Sequence, residues 1–441
     1  MMSPRAKKIH SDEVLPRSAD VVIIGGGIVG TATAYYLARR GISVALLEKG
    51  YVGCEQSSRN WGWCRQQNRD AREMPLSVLA MGLWDNLAQE IGQDLGFRRC
   101  GLLYASDDDK QLAEWEKWQE TAKQFDVETR MLSAREAEEK FPQSKRIWRG
   151  GIHAARDGKA EPELAAPVLA EGARALGATI HQQCAAYELD VTNGTVTGVH
   201  TEQGYIATNA VLCAAGAWAS AFCRSAGVRF PQACVRQTAL RSRPAPDVGE
   251  VLYTPDCALT RRLDGSYTMT ISGKATLELT PQSVRFAKPF MPMFIKRLRA
   301  VQVGIGKSFL VGPESLSAFW SSNESRYSRI RVLDPDPNPK FIAAILANVR
   351  ASFPALADID VAESWGAYVD STPDAVPVIS PVEKISGFHL AAGCSGHGFG
   401  IGPGIGFLAA EMIVNDRPSV DLRPYRLSRL SDGTKIEVGT L

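Results

Sequence analysis

The sequence predicts an α/β fold, α+β overall, in which one discontinuous domain carries a second, antiparallel-sheet domain inserted between its parts. Three observations predict it. A strand, a glycine turn, a helix and a second strand follow one another within residues 20–49. Two further glycine-marked segments, Ala214-Ala215-Gly216 and the run from Gly393 to Gly400, lie far downstream. Between 236 and 332 the texture changes to short strands, proline-containing turns and a basic apolar stretch. The expected parts are 18–98, 150–235 and 362–425 for the first domain. The second takes 99–149 and 236–361, including an insertion at about 275–332.

The elements are justified in order. Val21 to Ile24 is a short β-branched run ending at Gly25-Gly26-Gly27, and from Ile28 to Arg40 apolar and small residues recur at helical spacing until Gly41. Val44 to Leu47 is the next strand, closed by Glu48. Residues 77–91, 108–126 and 133–140 read as helices, as does Leu164 to Leu176. Strands follow near Thr179–Gln183, Val196–Thr201 and Ala210–Cys213. Phe341 to Val349 places apolar residues on one helical face before Phe353-Pro354. Strand and glycine-loop texture returns over 361–406, and a helix closes the region near Ile405–Val414.

Composition excludes several classes. The 441 residues hold 50 Lys+Arg against 48 Asp+Glu, a formal charge of +2, which is no footprint for nucleic acid. Apolar residues make 45% of the chain, which excludes global disorder. The nine cysteines are odd in number and form no C-x-x-C pair, so reduced thiols are expected rather than a zinc site or a disulfide framework. Met1 to Ala19 lacks an apolar signal core, and no run of 18 apolar residues occurs. A cytoplasmic protein is expected.

Gly25-x-Gly27-x-x-Gly30 follows a strand and opens a helix, and Glu48 ends the next strand. This is the context of a dinucleotide fingerprint, and it makes the first domain Rossmann-like. Gly25 turns the chain, Gly27 admits a pyrophosphate, and Gly30 lets helix and strand pack closely. The helix N-terminus presents free N–H groups to the anion, while Glu48 accepts from a ribose. Three glycine loops spread along the chain suit a long cofactor lying extended across one domain, as FAD does.

These segments resemble the glycine oxidase, sarcosine oxidase and D-amino acid oxidase superfamily of FAD-dependent oxidoreductases. The resemblance rests on Val21 to Gly30, Glu161-Pro162, Cys213-Ala214-Ala215-Gly216-Ala217-Trp218, Trp365-Gly366, Thr372-Pro373-Asp374 with Pro377-Val378-Ile379, and the 393–406 loop. Order and spacing match from about 18 to 425. Within the superfamily the chain is most similar to bacterial L-amino acid deaminases. It shares Glu48-Lys49-Gly50, Glu55-Gln56-Ser57, the 275–332 insertion and Ser364-Trp365-Gly366. It is expected to lack their N-terminal membrane anchor, and the segment from Arg59 to Gln66 departs from theirs.

The resemblance implies a flavin site. Gly25, Gly27, Ile28, Val29 and Gly30 would hold pyrophosphate, and Glu48 and Lys49 the adenosine ribose. Gln56, Ser57, Ser58, Asn60, Trp61 and Gly62 would run beside the ribityl chain and the ring. Ala186 would meet adenine, and Ala215, Gly216 and Trp218 would pack near the pyrophosphate. Gly396, Gly398, Phe399, Gly400 and Ile401 would meet the ring through backbone N–H groups. Some relatives attach flavin through a Cys near the Thr-Pro-Asp motif. Tyr368, Val369 and Asp370 stand there in this chain, so non-covalent FAD is expected.

Five residues are candidates for contact with substrate. His397, inside the glycine loop, is expected to border the pocket or donate a hydrogen bond to the flavin, the alternative being a histidine satisfied by loop carbonyls. A carboxylate calls for an arginine fork, and Arg261 or Arg262 before Asp264-Gly265, or Arg65 beside Trp61-Gly62-Trp63, can supply it. Gln237, entering the second domain, resembles a substrate-facing position. Trp61, Trp63, Trp365 and Tyr253 are candidates for an apolar wall, with plain core packing as the alternative for each. Phe290 to Arg299 reads as a helix covering the second domain, with a membrane surface or redox partner as the alternative.

The expected reaction is FAD-dependent oxidative deamination of an amino acid. Hydride passes from the α-carbon to flavin N5, and the imine hydrolyses to keto acid and ammonia. Oxygen, a quinone or a partner protein would take the electrons. The alternatives are oxidation of a secondary amine, such as an N-alkyl amino acid or opine, and a FAD-bearing subunit of a larger amine dehydrogenase.

Overall fold

The computed structural model describes residues 6–141, 143–317 and 323–439. Its first sheet has six strands. Val21–Ile24 lies at the centre, with Val44–Glu48 and Val211–Cys213 parallel on either side. Thr179–Gln182 extends the sheet beyond Val44–Glu48, and Phe388–Ala392 beyond Val211–Cys213, both in parallel register. Val378–Pro381 closes the far edge antiparallel. The central strand is buried along its whole length, which is why its sequence is uninterruptedly apolar rather than alternating.

Helices Ile28–Ala38, Met74–Ile91, Pro162–Ala175 and Gly398–Ile413 pack together against one face around Leu37, Leu46, Trp84 and Ile405. A meander of Ala186–Thr192, Thr195–Thr201 and Gly204–Ala207 joins the core of the other face through Val199 and Ile206. The layers are those expected from the sequence.

The second sheet has ten strands. Ala233–Ser242 and Val361–Ser371 pair antiparallel along almost their whole length and form its spine. Tyr267–Thr270, Ala258–Arg261 and Val251–Tyr253 follow antiparallel on one side, and Leu102–Ser106, Gly150–Ala154 and Arg130–Ser133 continue beyond them. Two contacts are parallel, Val251–Tyr253 with Leu102–Ser106 and Ala275–Glu278 with Val301–Gly304, so the sheet is mixed. The sequence boundary at 150 leaves Gly150–Ala154 with the first domain. The structure places this strand inside the second sheet, because its partners are Leu102–Ser106 and Arg130–Ser133.

Two further differences have physical causes. The last helix begins at Gly398, not near Ile405. Its alternate glycines read as a loop, yet Gly402 and Gly406 lie where this helix touches Ile28 and Ala32, and side chains there would collide. The stretch 281–297 forms two helices, Pro281–Arg285 and Ala287–Arg297, and no residue of the second is buried. No helix among the described residues is long and apolar enough to cross a membrane.

Candidate active site

One cavity of ≈1350 Å³ runs from the glycine turn of the first sheet to the second sheet. At its inner end the chain turns at Gly25, whose φ of +113° disfavours a side chain. A Cβ on Gly30 would stand 2.0 Å from the Gly25 carbonyl oxygen, so the helix approaches the strand as closely as backbone allows. Ser57 Oγ accepts from Ile28 N–H at 2.9 Å and stiffens the turn. Glu48 accepts from Gly26 N–H at 2.7 Å and from Gly50 N–H at 2.6 Å. Burial pushes its carboxyl up, while Lys49 and these two N–H groups hold it down. Each oxygen keeps lone-pair capacity for a ribose.

The cradle fits a dinucleotide. Gln56 Nε2 and Trp218 Nε1 are buried donors without a protein acceptor, and both residues line the cavity. Unpaired buried donors are costly, so both call for an acceptor on a bound group. Gly25, Gly27, Ile28, Val29, Glu48, Gln56, Ser57, Asn60, Trp61, Ala186, Ala215, Gly216, Trp218, Gly396, Gly398, Phe399 and Gly400 all line the cavity.

Four cofactor candidates lie off the wall, and two on it, Lys49 and Asn60, are engaged with the protein itself. Gly30, Ser58, Gly62 and Ile401 lie behind the wall as packing or turn residues. The Lys49 ammonium donates to Glu55 Oε1, Ile330 O and Arg331 O, each at 2.9 Å. It also sits 4.5 Å from the Trp218 ring centre. Lys49 lines the cavity, but its three N–H groups go to Glu55 and to the backbone of 330–331 and are not free for a ribose. Asn60 caps its own short helix, accepting from Gly62 N–H and donating to Gln56 O and Ser57 O.

His397 stands at the N-terminus of Gly398–Ile413 and lines the cavity. Its Nδ1 lies 3.0 Å from Oε2 of Glu73, a fully buried residue at the start of Met74–Ile91. Burial lowers the imidazole to about 4, Arg69 acts in the same direction, and Glu73 opposes them. The ring is therefore neutral at neutral pH. With Nδ1 donating to Glu73, Nε2 is left as an acceptor, and it has no partner among the described residues.

The arginine candidates divide. Arg65 is buried on the cavity wall, 5.8 Å from the Trp63 ring centre and 5.9 Å from that of Tyr104, and Nη1 donates to Gln67 O. Arg261 and Arg262 are not on the wall. Arg261 pairs with Asp247 at 2.8 Å, and Arg262 pairs with Glu161 at 2.6 Å. Their expected role in binding a carboxylate is corrected: each already has one from the protein.

Sequence reasoning missed Arg69 and Glu73. Arg69 is 3% exposed and lines the cavity, and its Nε and Nη1 are buried without partners. Burial, with Arg65 beside it, pulls the guanidinium down to about 9. Neither Arg65 nor Arg69 forms an ion pair among the described residues. The repetition of Arg at 65 and 69 after the Trp-Gly-Trp segment is the signal that could have drawn attention to it.

Gln237 lines the cavity as expected, with Oε1 buried and unpartnered. Trp61, Trp63 and Tyr253 form a wall together with Tyr104, Trp115 and Trp118. Tyr104 and Tyr253 are 4.7 Å apart between ring centres, and Trp61 meets Trp63 edge-on at 5.1 Å. Trp365 takes the core-packing alternative, its indole N–H donating to Arg59 O at 3.0 Å.

A Rossmann-type layer with a dinucleotide cradle, opening onto a second sheet with a polar and aromatic pocket, defines a nucleotide-cofactor oxidoreductase. Residues 20–412 match the family described as DAO, FAD dependent oxidoreductase, and the chain belongs to that family. Among solved structures it is similar to L-amino acid deaminase from Proteus myxofaciens in complex with anthranilate. That similarity has 28% identity and a TM-score of 0.91, covering 96% of each chain. It is also similar to sarcosine oxidase subunit beta of Rhizobium meliloti (strain 1021), 25% identical over 427 residues, 95% of this chain and 90% of that one. A third relative is 4-methylaminobutanoate oxidase (formaldehyde-forming) of Paenarthrobacter nicotinovorans, 26% identical over 424 residues, 96% of this chain and 47% of that protein. The chain spans less than half the length of the first curated relatives it matches.

Proposed function

We propose that this chain oxidises the C–N bond of an amino acid, using non-covalently bound FAD, and releases an imine that hydrolyses to a keto acid and ammonia. The observation that carries the reading is the pair Arg65 and Arg69, buried on the cavity wall and in no ion pair among the described residues, with Asp157 and Glu73 attracting them only from beyond contact distance. Buried unpaired charge is expensive, and a substrate carboxylate relieves it.

The cradle from Gly25 to Val29, with Glu48, Gln56 and Trp218, would hold the cofactor, and the loop from Gly396 to Gly400 would border it. FAD supplies a two-electron acceptor for hydride. The two guanidinium groups fix the substrate carboxylate and disfavour the ammonium form of its amine. The amine therefore reacts neutral. His397 Nε2 accepts a hydrogen bond from it and sets its orientation. Its low basicity makes it an orienting acceptor and not a store for a proton. As the nitrogen lone pair forms the C=N bond, hydride leaves the α-carbon and the product is the protonated imine; the aromatic wall keeps water away until it forms, and water then adds to it to give the keto acid and ammonium.

A second reading is oxidation of an N-alkyl amino acid. The aromatic faces of Trp61, Trp63, Tyr104 and Tyr253 suit an N-alkyl group, and two of the relatives are named for methylated amines. Anaerobic absorbance of the purified flavoprotein, with L-, D- and N-alkyl amino acids added in turn, separates the two. Bleaching by primary amino acids supports the proposal, and bleaching by N-alkyl substrates alone supports the second reading. A yellow protein that stays oxidised with every amine overturns both.

A further inference from the structure

We infer that the cavity is built for a substrate with two acidic groups, the second bound by Arg297. The inference rests on the proposed amino acid reading, in which Arg65 and Arg69 take the α-carboxylate. Arg297 belongs to helix Ala287–Arg297 of the insertion, and it lines the same cavity. Its Nε is buried without a partner, and the side chain forms no ion pair among the described residues. Arg297 and Arg65 approach Tyr253 within electrostatic range, and both favour its ionised form against burial. Tyr253 in turn stacks near Tyr104, over which Arg65 lies. Three guanidinium groups outside any ion pair among the described residues thus gather around one pair of tyrosines; Asp157 and Glu73 attract Arg65 and Arg69 from behind the wall, whereas no carboxylate attracts Arg297.

The carboxylates on the cavity wall do not balance them. Glu48 accepts from backbone, Glu55 pairs with Lys49, Asp370 accepts from Gly393 N–H and Gln232, and Glu114 is exposed to solvent and in no ion pair with the three arginines. Lys274 also lines the cavity, but its ammonium donates to Arg299 O at 3.1 Å. One carboxylate saturates one or two arginine forks and leaves the third unmatched. An amino acid whose side chain or nitrogen substituent ends in a second carboxylate matches all three. Arg297 is then a specificity residue supplied by the insertion.

The test measures binding of unreactive anions to the oxidised flavoprotein by isothermal titration calorimetry. Glutarate and succinate are compared with butyrate on the wild type, Arg297→Met and Arg297→Gln. The inference expects a dicarboxylate to bind at least ~10-fold more tightly than butyrate. Both variants should erase that preference while leaving butyrate affinity unchanged, which also shows that they fold. Equal affinity for mono- and dicarboxylates in the wild type overturns the inference and leaves the α-carboxylate reading standing. A preference that survives both substitutions overturns the role of Arg297. Failure of every carboxylate to bind overturns the Arg65–Arg69 anchor and this inference with it.

Discussion

Nδ1 of His397 lies 3.0 Å from Oε2 of Glu73, and each residue stands at the N-terminus of a different long helix of the first domain. The contact links residues 324 positions apart and fixes which imidazole nitrogen faces the cavity. Glu73→Leu removes the acceptor and leaves Nδ1–H buried and unpaired, at a cost of about 1–3 kcal/mol. Glu73→Gln keeps an amide oxygen for Nδ1–H and should lose less than half as much. Denaturant titration of the flavoprotein gives both numbers. Equal losses from the two variants would show that charge, not the hydrogen bond, holds the pair.

Arg69 makes the opposite prediction for stability and binding. Its guanidinium is buried, and burial together with Arg65 outweighs the attraction of Glu73 and Asp157, so the charge is a burden on the ligand-free fold. Arg69→Met should raise the thermal midpoint of the ligand-free protein by several degrees. The same change should weaken a monocarboxylate such as butyrate by ~10–100-fold, the loss of a charge-assisted hydrogen bond or two. A variant that is less stable and binds as well as the wild type would mean that Arg69 has a structural partner instead.

The cofactor turn predicts the loss of flavin. Gly30→Ala places a methyl 2.0 Å from the Gly25 carbonyl oxygen, and neither backbone segment can move without opening the sheet. Gly25→Ala adds a left-handed φ to a contact of 2.4 Å with Ala214 O. Both variants should purify with little bound flavin, measured as flavin absorbance per protein. Gly41→Ala, also at positive φ but with open space around it, is the control that should keep its flavin.

The parts legible in the sequence are those where one segment carries its own signal. Val21 to Glu48 declared strand, turn, helix and acid within 30 residues, and the structure assembles them as expected. The pocket was legible only in pieces. Arg65 and Gln237 reach the cavity, whereas Arg261 is drawn off by Asp247 and Arg262 by Glu161, choices made by residues distant in sequence. Glu73 gave no signal, because its meaning depends on His397 reaching it across the fold. Gly150–Ala154 carries no alternating pattern, so its place between two strands of the second sheet is set by tertiary pairing. The helix from Gly398 was hidden because the glycines that permit its close packing are also those that mark loops.

His389 yields a pH-dependent prediction. It sits on the strand Phe388–Ala392, its Nδ1 is buried without a partner, and burial lowers the imidazole to about 4. In the unfolded chain the ring takes a proton as pH falls through about 6.5, whereas in the folded protein it stays neutral until about 4. Between those values the unfolded state binds more protons, so stability rises with pH there and is lost as pH falls. His389→Leu removes this dependence. The variant should gain on the wild type by up to about 1.4 kcal/mol per pH unit below 6.5, or about 2 kcal/mol at pH 5. His153 and His397 are also lowered to about 4 by burial, but both proteins contain them, so the comparison cancels them. Denaturant titrations at pH 7.5, 6 and 5 measure the difference. A gap between variant and wild type that stays constant over this range would mean that His389 titrates normally in the folded protein.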